Sequence, residues 1–85
     1  MDRNTVINII KCEQLTSFNL FEDRADAADE IIIKKVSDRW VVYATNERAG
    51  MISGSEAVFE DEEAALFNFI RRLMALNRVI NSYKP

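Results

Sequence analysis

Residues 39–50 read Arg-Trp-Val-Val-Tyr-Ala-Thr-Asn-Glu-Arg-Ala-Gly, and the reading of this stretch decides the fold. It holds the only tryptophan of the chain and ends on one of its two glycines. Its aromatic and β-branched residues suit a pleated, half-buried surface, so Arg39 to Thr45 is predicted to be a strand. Side chains alternate across a strand: Trp40, Val42 and Ala44 point one way, Val41, Tyr43 and Thr45 the other. Trp40 is expected to anchor a small core, with Tyr43 half exposed. Asn46 to Gly50 is expected to form a polar turn.

Immediately upstream, Glu30 to Ser37 carries three consecutive isoleucines and Val36, and β-branched residues lose little by being extended. Ser37-Asp38 then makes a two-residue connection, so residues 30–45 are predicted to be an antiparallel hairpin at the centre of a sheet. Downstream, Met51 to Phe59 reads as a weaker strand that Gly54 kinks or bulges. Ser17 to Asp23 reads as a first strand, followed by an acidic, alanine-rich connection up to Asp29.

Helical periodicity flanks these strands. Val6, Ile9 and Ile10 predict a helix over residues 4–15, with Asn4 or Thr5 as its N-cap. Leu66, Phe69, Ile70, Leu73, Leu76 or Asn77, and Ile80 form one apolar stripe over 62–82, with Asp61 as cap and Glu62 and Glu63 in the first turn. The expected architecture is α+β, in the order α-β-β-β-β-α. It is a mainly antiparallel four-stranded sheet with the N- and C-terminal helices packed on one face.

A chain of 85 residues makes one domain. No apolar run is long enough to span a membrane. The first residues lack a charged and then apolar leader, and Cys12 has no partner for a disulfide, so a cytoplasmic location is expected. The net charge is -3, a poor basis for binding nucleic acid. The charges are also sorted. Glu22 to Glu30 holds five acids and one arginine, Glu56 to Glu63 five acids and no base, and Ala64 to Pro85 four bases and no acid. Such separation can steer a charged partner.

Catalytic material is scarce. With no histidine there is no imidazole acid-base and no Ser-His or Cys-His nucleophile. Cys12 lies in an apolar helical stretch and reads as a small buried hydrophobe. Gly50 and Gly54 do not form a phosphate loop, and no zinc or EF-hand ligand spacing is present. Asp61, Glu62 and Glu63 diverge around the helix and read as cap and solvated first turn. No enzyme activity, cofactor or metal is expected.

Three short segments carry a resemblance: Trp40-Val41-Val42-Tyr43, then Glu47-Arg48-Ala49-Gly50, then Phe59-Glu60-Asp61-Glu62 leading to Ala65 and the amphipathic helix. Over about residues 18–75 the chain resembles small bacterial immunity proteins, which neutralise toxin domains of polymorphic and contact-dependent growth-inhibition systems. Those proteins share a pattern like Trp-x-Val-Tyr, then Glu-Arg-Gly, then Phe-x-(Ser or Thr)-Glu-x-x-Ala. Two departures stand out: Ala49 is inserted between Arg and Gly, and Asp61 replaces the hydroxyl cap.

The resemblance implies stoichiometric inhibition of a cognate toxin domain, a nuclease with a basic cleft, by acidic surface residues. The expected toxin contacts are Asp23, Asp26, Asp29, Glu30, Glu47, Arg48 and Glu56. Reversing Asp26, Asp29 and Glu30 to lysine is expected to weaken binding and leave the domain folded. The competing reading is a self-associating scaffold or regulatory subunit, a homodimer formed through Phe67, Met74 and Val79 of the long helix.

Overall fold

β2 (Ile31–Val36) and β3 (Arg39–Ala44) form the central antiparallel hairpin, paired from Ile31↔Ala44 to Val36↔Arg39. Ser37 takes a φ of 58° in the connecting turn, the sign that primed two-residue hairpin turns require at their first central position. β1 (Phe18–Leu20) lies on one side of this hairpin and β4 (Ala57–Phe59) on the other, giving the sheet order β1-β2-β3-β4. The flanking helices are α1 (Arg3–Glu13) and α2 (Glu62–Ser82). The computed structural model describes residues 1–83 of the chain; Lys84, one of the four C-terminal bases, lies outside them.

The sheet is mixed, which corrects the antiparallel expectation at one edge: β1 runs parallel to β2, with Phe18 opposite Ile31 and Leu20 opposite Ile33. The cause is the connection. A hairpin reversal needs about two to five residues, whereas parallel neighbours need a crossover. Residues 21–30 supply that crossover and pass over the outer face of the sheet. Its two bends, Phe21 and Asp29, both hold left-handed backbone at φ 59° and 54° without being glycine.

Both helices cover the other face. Ile31 and Ile33 of β2 and Val42 of β3 point to this side, where they form one core with Val6 of α1 and Ala65, Leu66, Phe69, Ile70 and Leu73 of α2. Ile32 and Tyr43, register partners facing away from the helices, are buried as well, because the crossover lies over them. Tyr43 is thus 4% exposed rather than half exposed. Three consecutive isoleucines can all be buried because this strand is covered on both faces.

Several boundaries shift for local reasons. α1 begins at Arg3 because Asp2, not Asn4 or Thr5, caps it: Oδ1 of Asp2 accepts from the Thr5 amide at 2.8 Å. Cys12 is exposed, not a core residue. β1 is shorter than Ser17 to Asp23, since Phe21 turns the chain out of the strand. β4 begins only at Ala57; Met51 makes a single bridge to Thr45, and Gly54 sits at φ 83° in a turn between the two, not in a bulge within a strand. The bounds of α2 and its Asp61 cap match the sequence pattern, the cap accepting from the Ala64 amide at 3.1 Å. Of Leu76 and Asn77, Asn77 is the fully buried one, its amide bonded to the backbone of Thr16 and Leu73.

Trp40 packs at the margin of the core rather than at its centre. It is half-buried, and its indole Nε1 donates to Oε1 of Glu62 at 3.2 Å. The same carboxylate takes a two-pronged contact from Arg3 at 2.8 and 3.1 Å, so β3, α1 and α2 meet on one acid. The Arg3 hydrogen bonds, foremost, hold the Glu62 carboxyl below its ordinary value against partial burial.

Candidate functional site

The crossover 21–30 forms a rim, tied together by its own Arg24. This side chain donates to both carboxylate oxygens of Glu30 at 3.1 and 2.9 Å, to Glu22 at 3.3 Å, and to the carbonyls of Phe18 and Ala25 at 3.1 Å each. Glu30 is 3% exposed and also accepts from the Ala27 amide at 3.0 Å. Buried Asn19 closes the start of the rim, its Oδ1 accepting from the Glu22 amide at 2.7 Å. Buried Thr45 fixes the end: its hydroxyl donates to the Ala27 carbonyl at 2.7 Å and accepts from the Glu30 amide at 3.0 Å.

This geometry sorts the acids that the sequence placed together. Glu30 serves the fold and offers no free carboxylate. Asp26 is half-buried and accepts from the Tyr43 hydroxyl at 2.8 Å, which, after burial itself, pushes the tyrosine pKa up. Reversing Asp26, Asp29 and Glu30 therefore tests folding as much as binding. Glu22, Asp23 and Asp29 are exposed.

The turn after β3 joins this rim. The Asp29 amide donates to the Asn46 carbonyl at 3.0 Å, which sets Glu47 and Arg48, both exposed, at the end of the acidic crossover. Asn46 builds the turn: its Oδ1 accepts from the amides of Arg48 and Gly50 at 2.9 and 3.0 Å. Ala49, the inserted residue, donates back to the Asn46 carbonyl and holds a φ of 64°. A turn followed by a left-handed residue is the form that three-residue hairpin loops favour, with glycine at that place. Left-handed backbone costs an L-residue roughly 1 to 2 kcal/mol, and glycine gives back roughly 0.5 to 1 in chain entropy. Ala49→Gly is therefore expected to raise the melting temperature by a few degrees in a calorimetric scan. An unchanged or lower melting point would show that the turn carries no strain at Ala49.

Glu56 stands apart, exposed just before β4, with no hydrogen bond or ion pair to the rim among the described residues. The rim also has a basic inner border that sequence reading missed. A cleft of about 410 Å³ opens beside it, lined among others by Phe21, Arg24, Asp26, Ile32, Lys34 and Lys35. It forms because β1 pairs only as far as Leu20↔Ile33 and leaves Lys34–Val36 as a free edge. Lys34 and Lys35 lie over the Tyr43 and Trp40 rings at 5.1 and 5.2 Å, and charged lysines on a free edge discourage added strands. The signal for Arg24 was present: it is the one base among the five acids from Glu22 to Glu30.

Among the described residues no three His, Cys, Asp or Glu side chains group as metal ligands, and no helix is long and apolar enough to cross a membrane. Comparison of the chain with known protein families, with curated proteins and with solved structures found no match.

Proposed function

We propose that this chain is a stoichiometric inhibitor of the immunity type, which binds a basic surface of a cognate toxin domain, a nuclease, in the cytoplasm through its acidic rim. The observation that carries this reading is the hydrogen bond from Asp29 to Asn46, which sets exposed Asp29 beside the turn of exposed Glu47 and Arg48, at one end of a crossover whose other end carries exposed Glu22 and Asp23. The backbone beneath these side chains is fixed by Arg24, Glu30, Thr45 and Asn46, so little ordering is left to be done on binding. An acidic field speeds the approach of a basic partner and repels acidic ones. The chain itself performs no reaction in this reading.

The tagged chain is expected to purify in a one-to-one complex with a toxin domain encoded immediately upstream of it. Changing Asp23, Asp29 and Glu47 together to lysine is expected to weaken that complex by roughly tenfold or more, chiefly through slower association at low salt, with the melting temperature lowered by no more than a few degrees from the left-handed position of residue 29. A triple variant that binds as tightly as the parent would move the interface away from the rim. Failure of the parent chain to bind or inhibit that toxin domain would end the inhibitor reading.

A further inference from the structure

The outward ridge of α2 carries Phe67, Arg71, Ala75, Arg78 and Val79, all of them exposed, and their spacing of three to four residues puts them on one stripe. Phe67 is 51% exposed, yet its ring is partly covered by its own neighbour, the Arg71 guanidinium lying 5.7 Å from the ring centre. Charges along this stripe are sorted by position. Glu63 stands in the first turn with its side chain 68% exposed, its Oε1 3.6 Å from the N-terminal ammonium, and from Ala64 onward the chain has bases and no acid. Arg72 is occupied by the Ser55 carbonyl at 2.6 Å, while Arg71 and Arg78 make no ion pair among the described residues.

We infer that this face pairs with the same face of a second copy of the chain, the two α2 helices running antiparallel. The residues are arranged symmetrically about Arg71. Phe67 and Ala75 lie four residues to either side of it, and Glu63 and Arg78 eight and seven. A two-fold axis near Arg71 therefore sets each Phe67 against the small Ala75 of the other copy and each Glu63 beside the other copy's Arg78. The two Arg71 side chains meet near the axis, where each can lie over a Phe67 ring. A parallel pairing would set Glu63 against Glu63 and Arg78 against Arg78 as well as Arg71 against Arg71, whereas the antiparallel form leaves only the Arg71 pair like-charged, so sorted charge favours the antiparallel form. The face lies on α2, across the sheet from the rim, so self-pairing leaves the acidic surface open.

Sedimentation of the purified full chain tests this. The parent is expected to sediment at twice the 9.8 kDa chain mass at micromolar concentration, and Phe67→Asp at the single-chain mass with an unchanged circular dichroism spectrum. Glu63→Arg and Arg78→Glu are each expected to weaken pairing by roughly tenfold or more, and the double variant to restore it, since the swapped charges again face their opposites. A parent that stays at the single-chain mass at every concentration overturns the inference. So does a dimer that survives Phe67→Asp, or a charge swap without rescue. A monomer that binds polyglutamate or phosphatidylserine vesicles through Arg71 and Arg78 assigns the face to an acidic ligand and likewise overturns it.

Discussion

Glu30→Lys is expected to disrupt the acidic rim rather than merely recharge it. The carboxylate is buried and holds Arg24 and the Ala27 amide; lysine would leave that amide unpaired and set a second cation against Arg24. Breaking a buried pair costs about 3 to 5 kcal/mol. Here about 2 to 4 kcal/mol is expected, because the Arg24 side chain is 35% exposed and water can take up its charge. The melting temperature should fall by about 10 °C or more. Asp23→Lys touches an exposed side chain and should leave it nearly unchanged, and Asp29→Lys should lower it by only a few degrees, the strain of lysine at a left-handed position that aspartate tolerates better. Equal melting points for Glu30→Lys and Asp23→Lys would refute the structural role of Glu30.

The same carboxylate sets a pH dependence. Burial alone would raise the Glu30 pKa, but the Arg24 hydrogen bonds, the Ala27 amide and the Arg24 charge together hold it below its ordinary value of 4.5. The unfolded chain therefore binds the proton more readily than the folded one. The Glu30 contribution to stability is present above pH 4.5 and is lost as pH falls through the lower folded-state value. Glu62 adds a contribution of the same sign. Melting temperature should thus decline below about pH 4.5, and Glu30→Gln should flatten that decline while lowering stability at neutral pH. An acid limb as steep in Glu30→Gln as in the parent would assign it to other carboxylates.

Phe69→Ala is expected to be the most damaging single truncation of the core. Phe69 is fully buried on α2 against the sheet, and its loss removes transfer energy and leaves a cavity, about 3 to 5 kcal/mol together. A domain of this length is stable by only roughly 4 to 13 kcal/mol, so a large part of the total disappears. The melting temperature should fall by about 12 °C or more. Phe67→Ala, two residues away on the outer face, should change folding stability by less than about 0.5 kcal/mol. Thermal melts of the two variants, run at a concentration where pairing is absent, compare the faces directly. Similar losses in both would mean that the packing face of α2 is wrongly assigned.

Much of this architecture was legible because it is local. The six elements in order, the Ser37-Asp38 hairpin, the Asp61 cap and the bounds of α2 follow from periodicity, capping and turn chemistry, which act within a few residues. The parallel edge was not legible in the same way, although a crossover of ten residues without glycine or proline is long for a hairpin. Nor does strand alternation reveal which face is covered by a loop. Tyr43 and Ile32 are buried only because residues 21–30 return across them.

The candidate site divides along the same line. Composition and order along the chain determined that the protein is net acidic, that its acids fall in two blocks and its C-terminal bases in another, and that Trp40 to Gly50 would be strand and turn. Tertiary structure alone decided which acids remain at the surface. Glu30 and Asp23 belong to one acidic block, yet Glu30 is bonded beneath the rim by Arg24 while Asp23 faces water. Glu47 and Arg48 lie far from that block in sequence and join it through the Asp29 to Asn46 hydrogen bond. Charge is a property of each residue and can be counted along a chain, whereas burial and pairing depend on segments that meet only when the sheet has formed.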